Sequence, residues 1–76
     1  MSQEEVFRTR LRHVRNKKGV SQRQAAEVLG ITKISYQNYE AGRRKPSFDM
    51  LPSIADFFGV SLDYLFGRSD NPVMNH

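Results

Sequence analysis

The sequence predicts an all-α fold of five short helices, with the second and third forming a helix-turn-helix, and three observations carry that expectation. Apolar residues recur at three- and four-residue spacing along much of the chain. Glycines interrupt the pattern at Gly19, Gly30, Gly42, Gly59 and Gly67, where a left-handed residue can close a helix. Ser21, Thr32, Ser47 and Ser61 then stand where new helices open, because a hydroxyl there accepts from an otherwise unpartnered backbone N–H.

The first helix should run from Glu4 to about Lys18, with Phe7, Leu11 and Val14 on one stripe and Gly19 at its end. The second should span Gln22 to Leu29: Ser21 accepts from the N–H of Gln24 while the Gln24 side chain reaches back, a reciprocal cap. Ala25 and Ala26 are small enough for a second helix to cross closely, and Val20, Leu29 and Ile31 should extend the core. The third helix should cover Lys33 to Ala41 behind the Thr32 cap. At about 100° per residue, Tyr39 and Glu40 fall on the side of Tyr36, and Ile34, Gln37, Asn38 and Ala41 on the other.

Pro46 pushes Lys45 toward extended geometry, and Ser47 should cap a fourth helix from about Phe48 to Phe58 with Leu51, Ile54, Ala55 and Phe58 inward. Pro52 sits awkwardly there, since it removes one backbone hydrogen bond early in the helix. Ser61 should open the fifth helix, which turns Leu62, Leu65 and Phe66 inward, with Val60 stapled onto Leu65. Residues 1–67 therefore read as one domain. Residues 68–76 lack periodicity and are expected to be poorly ordered.

A chain of 76 residues supports one small core. Without cysteine it can form neither a disulfide framework nor a thiolate metal site. No apolar run approaches the roughly 20 residues of a membrane span, so a soluble, cytoplasmic protein is expected. The net charge of +4 hides an asymmetry: residues 1–45 hold eleven Lys and Arg against four Glu, whereas residues 46–76 hold one Arg against four Asp. The cations thus accompany the helix-turn-helix, as an electrostatic footprint for nucleic acid requires.

The segment from Ser21 to Gly42, SQRQAAEVLGITKISYQNYEAG, resembles the lambda-repressor-like, Cro-type (XRE) helix-turn-helix family of DNA-binding regulators. The likeness rests on Gln22, Ala25, Ala26, Leu29, Gly30, Ile31, Tyr36, Tyr39, Glu40 and Gly42, and it continues through RRKPSFDMLPSIADFFGVSLDYLFG. It implies the compact five-helix DNA-binding fold of that family, in which Lys33, Ile34, Gln37 and Asn38 occupy the positions that read base edges. It also implies that Arg15 pairs with Glu40. A cation is wanted there on separate grounds, because a carboxylate at the end of a helix meets the negative pole of the dipole.

For the phosphates we expect Ser21, Gln22, Arg23, Thr32, Arg43, Arg44 and Lys45, where helix N-termini and cations lie together. Arg8, Arg12 and Arg15 read equally as a solvated basic surface or as phosphate contacts, with the Glu40 pair as a third reading for Arg15. Family members more commonly carry a bulky aliphatic residue in place of Ala25 and a β-branched one in place of Tyr36. The small Ala25 would leave room for the Tyr36 ring, whose hydroxyl could emerge toward a phosphate, so Tyr36 reads as core, contact or both.

The resemblance further implies a homodimer, a repressor reading a palindromic double-stranded operator. Met50, Phe57 and Tyr64 fall off the inward stripes and are candidate dimer contacts, or else isolated surface apolar residues. An enzyme is not expected: His13 and His76 have no recognisable partners, and no cofactor or metal is implied. The competing reading is an antitoxin or protein-interaction module whose main role is to bind a partner protein.

Overall fold

The computed structural model describes residues 2–73, which form α1 (Gln3–Lys18), α2 (Gln22–Leu29), α3 (Lys33–Ala41), α4 (Met50–Phe58) and α5 (Leu62–Leu65). No strand occurs among the described residues. The expected ends of α2 and α3 are met to the residue, because local chemistry sets them. Ser21 Oγ accepts from Gln24 N at 3.0 Å while Gln24 Oε1 accepts from Ser21 N at 2.8 Å, and Thr32 Oγ1 accepts from Ser35 N at 3.1 Å. In α1 the Ser2 hydroxyl caps the start, Glu4 and Glu5 sit in the first turn, and Arg15, Lys17 and Lys18 in the last, each matched to its dipole end.

α4 departs from expectation, starting at Met50 rather than Phe48. Ser47 is not the cap: Asp49 takes that position without a side-chain cap bond, and the Ser47 hydroxyl, accepting from Met50 N at 3.1 Å, closes the turn of Phe48 and Asp49 ahead of the helix. The later start resolves the Pro52 problem. Pro52 then lies in the first helical turn, where a backbone N–H has no intrahelical acceptor to lose. One consequence is that the Phe48 ring is left 88% exposed.

The core draws Phe7, Leu11 and Val14 from α1, Ala25 and Ala26 from α2, Tyr36 from α3, Ile54 from α4, Val60 from the α4–α5 turn and Leu65 from α5. Leu29, Ile31, Leu51, Phe58 and Leu62 pack partly buried around it, while Val20 is only half-buried. The rings of Phe7 and Phe66 stack at 5.1 Å between centroids, joining the first helix to the end of the fifth. α2 packs on α3 and α4, and α1 on α3, α4 and α5. The two alanines permit the close α2–α3 crossing.

The segment after α5 was expected to be poorly ordered, yet residues 68–73 carry definite partners. Arg10 donates through Nη1 to the carbonyls of Tyr64 at 2.6 Å and Ser69 at 2.7 Å, and through Nη2 to Asp70 Oδ1 at 3.0 Å. Its guanidinium also lies 4.4 Å from the Tyr64 ring centroid. Ser61 N donates to Pro72 O at 3.0 Å. Residues 74–76, and with them His76, lie outside the described residues.

Candidate nucleic-acid interface

The turn between α2 and α3 is fixed by Gly30, whose φ of 71° closes α2, and by Ile31 N donating to Ala26 O at 3.0 Å. α3 then buries Tyr36 and Glu40 and turns its opposite side out. Ile34 is 70% exposed. Lys33 is exposed as well, while Gln37 and Asn38 are half-buried. A branched aliphatic residue so exposed contributes nothing to the core, and within reach of a major groove it offers contact to a thymine methyl. Ile34, Gln37 and Asn38 therefore lie on the side of α3 away from Tyr36, with Lys33 exposed at its first turn.

The carbonyl of Asn38 gathers the end of the helix, accepting from Gly42 N, from Arg43 N at 3.0 Å and from Arg44 N at 3.4 Å. This wraps the chain back so that Arg43, Arg44 and Lys45, all exposed, follow directly on the recognition surface. Gly42 is required by its φ of 78°, and a Cβ there would push aside the flexible end of Arg8, whose guanidinium lies over it. Lys45 does not stand free, since its Nζ meets Glu4 Oε1 at 2.6 Å. Both groups are largely exposed, so a phosphate can displace this pair at little cost.

Behind the outward side lies a buried ionic cluster. Arg15 donates through Nε to Glu40 Oε2 at 2.6 Å and through Nη2 to Oε1 at 3.2 Å, and its Nη1 donates to Val20 O at 3.0 Å. Gln22 Nε2 donates to Glu40 Oε1 at 3.2 Å, and Arg12 Nε approaches the same oxygen at 3.7 Å. Burial resists ionisation of Glu40, but the bonds from Arg15, with the nearby Tyr36 hydroxyl dipole and the Gln22 bond adding to them, outweigh it and hold the carboxyl below its usual range. The hydrogen bond to Glu40 likewise raises Arg15. α3 is thereby tied to α1 and to the start of α2 from one carboxylate.

The Tyr36 expectation needs correction. The residue is 0% exposed and its hydroxyl is buried, so it reaches no phosphate. Ala25 is fully buried in the same core, and the Tyr36 hydroxyl lies by Glu40 and Arg15. Burial first, and the adjacent carboxylate second, push the phenol well above its ordinary range. Its oxygen nonetheless makes no well-formed hydrogen bond.

Gln22 is half-buried at the start of α2 with one amide hydrogen committed to Glu40. Ser21, Arg23 and Thr32 are exposed at the two helix N-termini. The structure adds two residues that the sequence reading passed over as phosphate candidates: Ser35 and Ser47 share a shallow depression of about 210 Å³ with Tyr39, Arg44 and Lys45. Ser35 could have been found on the helical wheel, about 40° from Tyr39.

The candidate dimer residues Met50, Phe57 and Tyr64 are half-buried and packed against the core. Tyr64 is covered by Arg10, and Lys18 Nζ lies 5.0 Å from the Phe57 ring centroid. The large apolar side chains left most open are Phe48, Ile34, Val73 and Val28. No cluster of His, Asp or Glu able to hold a metal occurs among the described residues. None of their helices is long and apolar enough to cross a membrane.

Comparison with known proteins agrees with this geometry. A family model described as helix-turn-helix matches residues 11–65. The chain is 43% identical over 67 residues to the HTH-type transcriptional regulator YobD of Bacillus subtilis, covering 88% of this chain and 60% of the relative. It is 44% identical over 59 residues to the regulator AnsR of the same organism, covering 78% and 51%. Against the cryptic phage CTXphi transcriptional repressor RstR of Vibrio cholerae it is 38% identical over 62 residues, covering 82% and 55%. The chain thus spans between half and three-fifths of the length of these relatives. No solved structure matches.

Proposed function

The chain belongs to the helix-turn-helix family of transcriptional regulators, and from that premise we propose that it is a sequence-specific double-stranded DNA-binding repressor. The observation that carries the reading is the outward row of α3: exposed Ile34 beside Lys33, Gln37 and Asn38, continued by the cations Arg43 and Arg44. Lys33 donates to guanine O6 and N7, Gln37 or Asn38 bridges adenine N6 and N7, and Ile34 meets a thymine methyl. Ser21, Gln22, Arg23, Thr32, Arg43, Arg44 and Lys45 hold the phosphates, aided by the free N–H groups at the starts of α2 and α3.

One such helix spans only a few base pairs, so the reading includes a homodimer on a palindromic operator with half-sites about one turn, ~34 Å, apart. Met50, Phe57 and Tyr64, with the open Phe48 ring two residues before Met50, are the residues we assign to the contact between copies. The repressor sign is supported by the relative RstR, which is described as a transcriptional repressor. The sequence alternative, a module devoted to a protein partner, gains no specific observation.

Selection of bound sites from random duplexes at two salt concentrations tests the proposal. A palindrome should emerge, with affinity falling steeply as salt rises. Gln37→Ala or Asn38→Ala should relax preference at one position by ~1–3 kcal/mol, whereas Arg43→Ala should weaken all sequences alike. Recovery of no common sequence, or loss of preference on Arg43→Ala alone, refutes the assignment.

A further inference from the structure

A cavity of about 270 Å³ lies where the start of α1, the end of α3, the basic loop and the end of α5 meet. Phe7, Tyr39, Leu51 and Phe66 give it an apolar lining. Arg8, Arg44, Lys45 and Glu4 stand around it. The charges there do not cancel: Glu4 is engaged by Lys45, Arg44 has no ion-pair partner among the described residues, and Arg8 makes only a 3.4 Å bond to Ala41 O. Two guanidinium groups thus border one greasy hollow without a carboxylate of their own.

The end of α3 would by itself repel an anion, since its last carbonyls carry the negative pole of the helix. Arg8 removes that obstacle. Its guanidinium lies over Gly42 and donates to Ala41 O, which covers those carbonyls with positive charge. A carboxylate arriving there meets planar donors suited to paired hydrogen bonds. The volume sits near the lower end for small-molecule sites, enough for one aromatic or branched acyl body.

We infer that this cavity binds a small organic acid with an apolar body, and that its occupation opposes DNA binding. The antagonism follows from the shared residue: Arg44 both borders the hollow and belongs to the loop assigned to phosphates, and a bound carboxylate neutralises it. Linkage makes the effect reciprocal, so DNA weakens the acid as much as the acid weakens DNA. The second half of the inference rests on the proposed function. The first does not.

The test separates them. The full chain without DNA is titrated with naphthoate, uncharged naphthamide and cationic naphthylmethylammonium, with binding followed by NMR. Naphthoate should saturate, shifting resonances of Phe7, Tyr39, Leu51 and Phe66, and naphthamide should bind about tenfold more weakly or less. Arg8→Gln should weaken naphthoate about tenfold, and so should the exposed Arg44→Gln, each melted beforehand to establish that it is folded. Equal binding of acid and amide, shifts mapped elsewhere or no saturation overturns the ligand class.

A mixed-sequence duplex is then titrated at fixed ionic strength with and without naphthoate. Its Kd should rise about fivefold or more when the acid is saturating. Naphthoate that binds while Kd stays unchanged overturns the antagonism. A chain that binds naphthoate but neither this duplex nor any site recovered by selection sinks the proposed repressor reading and leaves the ligand class standing.

Discussion

Replacing Glu40 with glutamine should cost this protein a large share of its stability. The residue is 2% exposed, and the exchange keeps its shape while removing the charge that two Arg15 bonds, at 2.6 and 3.2 Å, depend on. Deleting one partner of a buried pair costs ~3–5 kcal/mol. Arg15 is 14% exposed at its side chain and retains Val20 O, so the lower end applies, about 3 kcal/mol. Total stability for a chain this short is ~4–11 kcal/mol. The melting temperature, followed by circular dichroism, should fall by about 12–24 °C.

A cycle with Arg15→Gln separates this pair from general damage, because the double variant should lose clearly less than the sum of the two single ones. The effect is also pH-dependent. The native Glu40 carboxyl titrates below its ordinary value, so the unfolded chain takes up that proton first as acid is added. The stabilisation is therefore complete above the ordinary glutamate value of about 4.3 and drains away as pH falls through the lower native value. A Glu40→Gln loss under ~1 kcal/mol, or single losses that simply add, would refute the claim that this carboxylate anchors α3.

Two further substitutions probe the neighbourhood. Tyr36→Phe removes a buried hydroxyl that lacks a well-formed partner, so the melting temperature should stay constant or rise by a few degrees, and a loss beyond ~1 kcal/mol would mean that the oxygen is bonded. Because the native phenol titrates well above its ordinary value of about 10, wild-type stability should decline as pH climbs past that value, and Tyr36→Phe should decline less; parallel curves would contradict the inward placement. Gly42→Ala should cost ~1–2 kcal/mol for its φ of 78°, with the Arg8 guanidinium moving aside at little further cost. In an Arg8→Ala background the loss should therefore be about the same, and a clearly smaller loss there would argue that Arg8 is held rigidly over Gly42.

What could be read in advance was local. Ser21 with Gln24, Thr32, Gly30 and Gly42 specify the ends of α2 and α3 through contacts within a few residues, and both helices were placed to the residue. Periodicity put Ile34 on the outward side of α3, where it is exposed. The start of α4 was not legible, because Ser47 can cap either a helix or the turn ahead of one, and only Pro52 hinted at which. The Tyr36 hydroxyl was misjudged because a wheel gives the direction of a side chain but not the depth of the pocket that receives it. The Arg10 contacts and the cavity beside Arg8 and Arg44 join residues far apart in sequence, and no short-range pattern announces them.

The grip of Arg10 on the carbonyls of Tyr64 and Ser69 bears on how the molecule comes apart. It staples the stretch after α5 to α1, closing a ring of more than fifty residues whose entropic cost is met only when nearly everything else is assembled. Opening of that stretch is thereby coupled to exposure of α1. Amide exchange near residues 61 to 69 should accordingly track global unfolding.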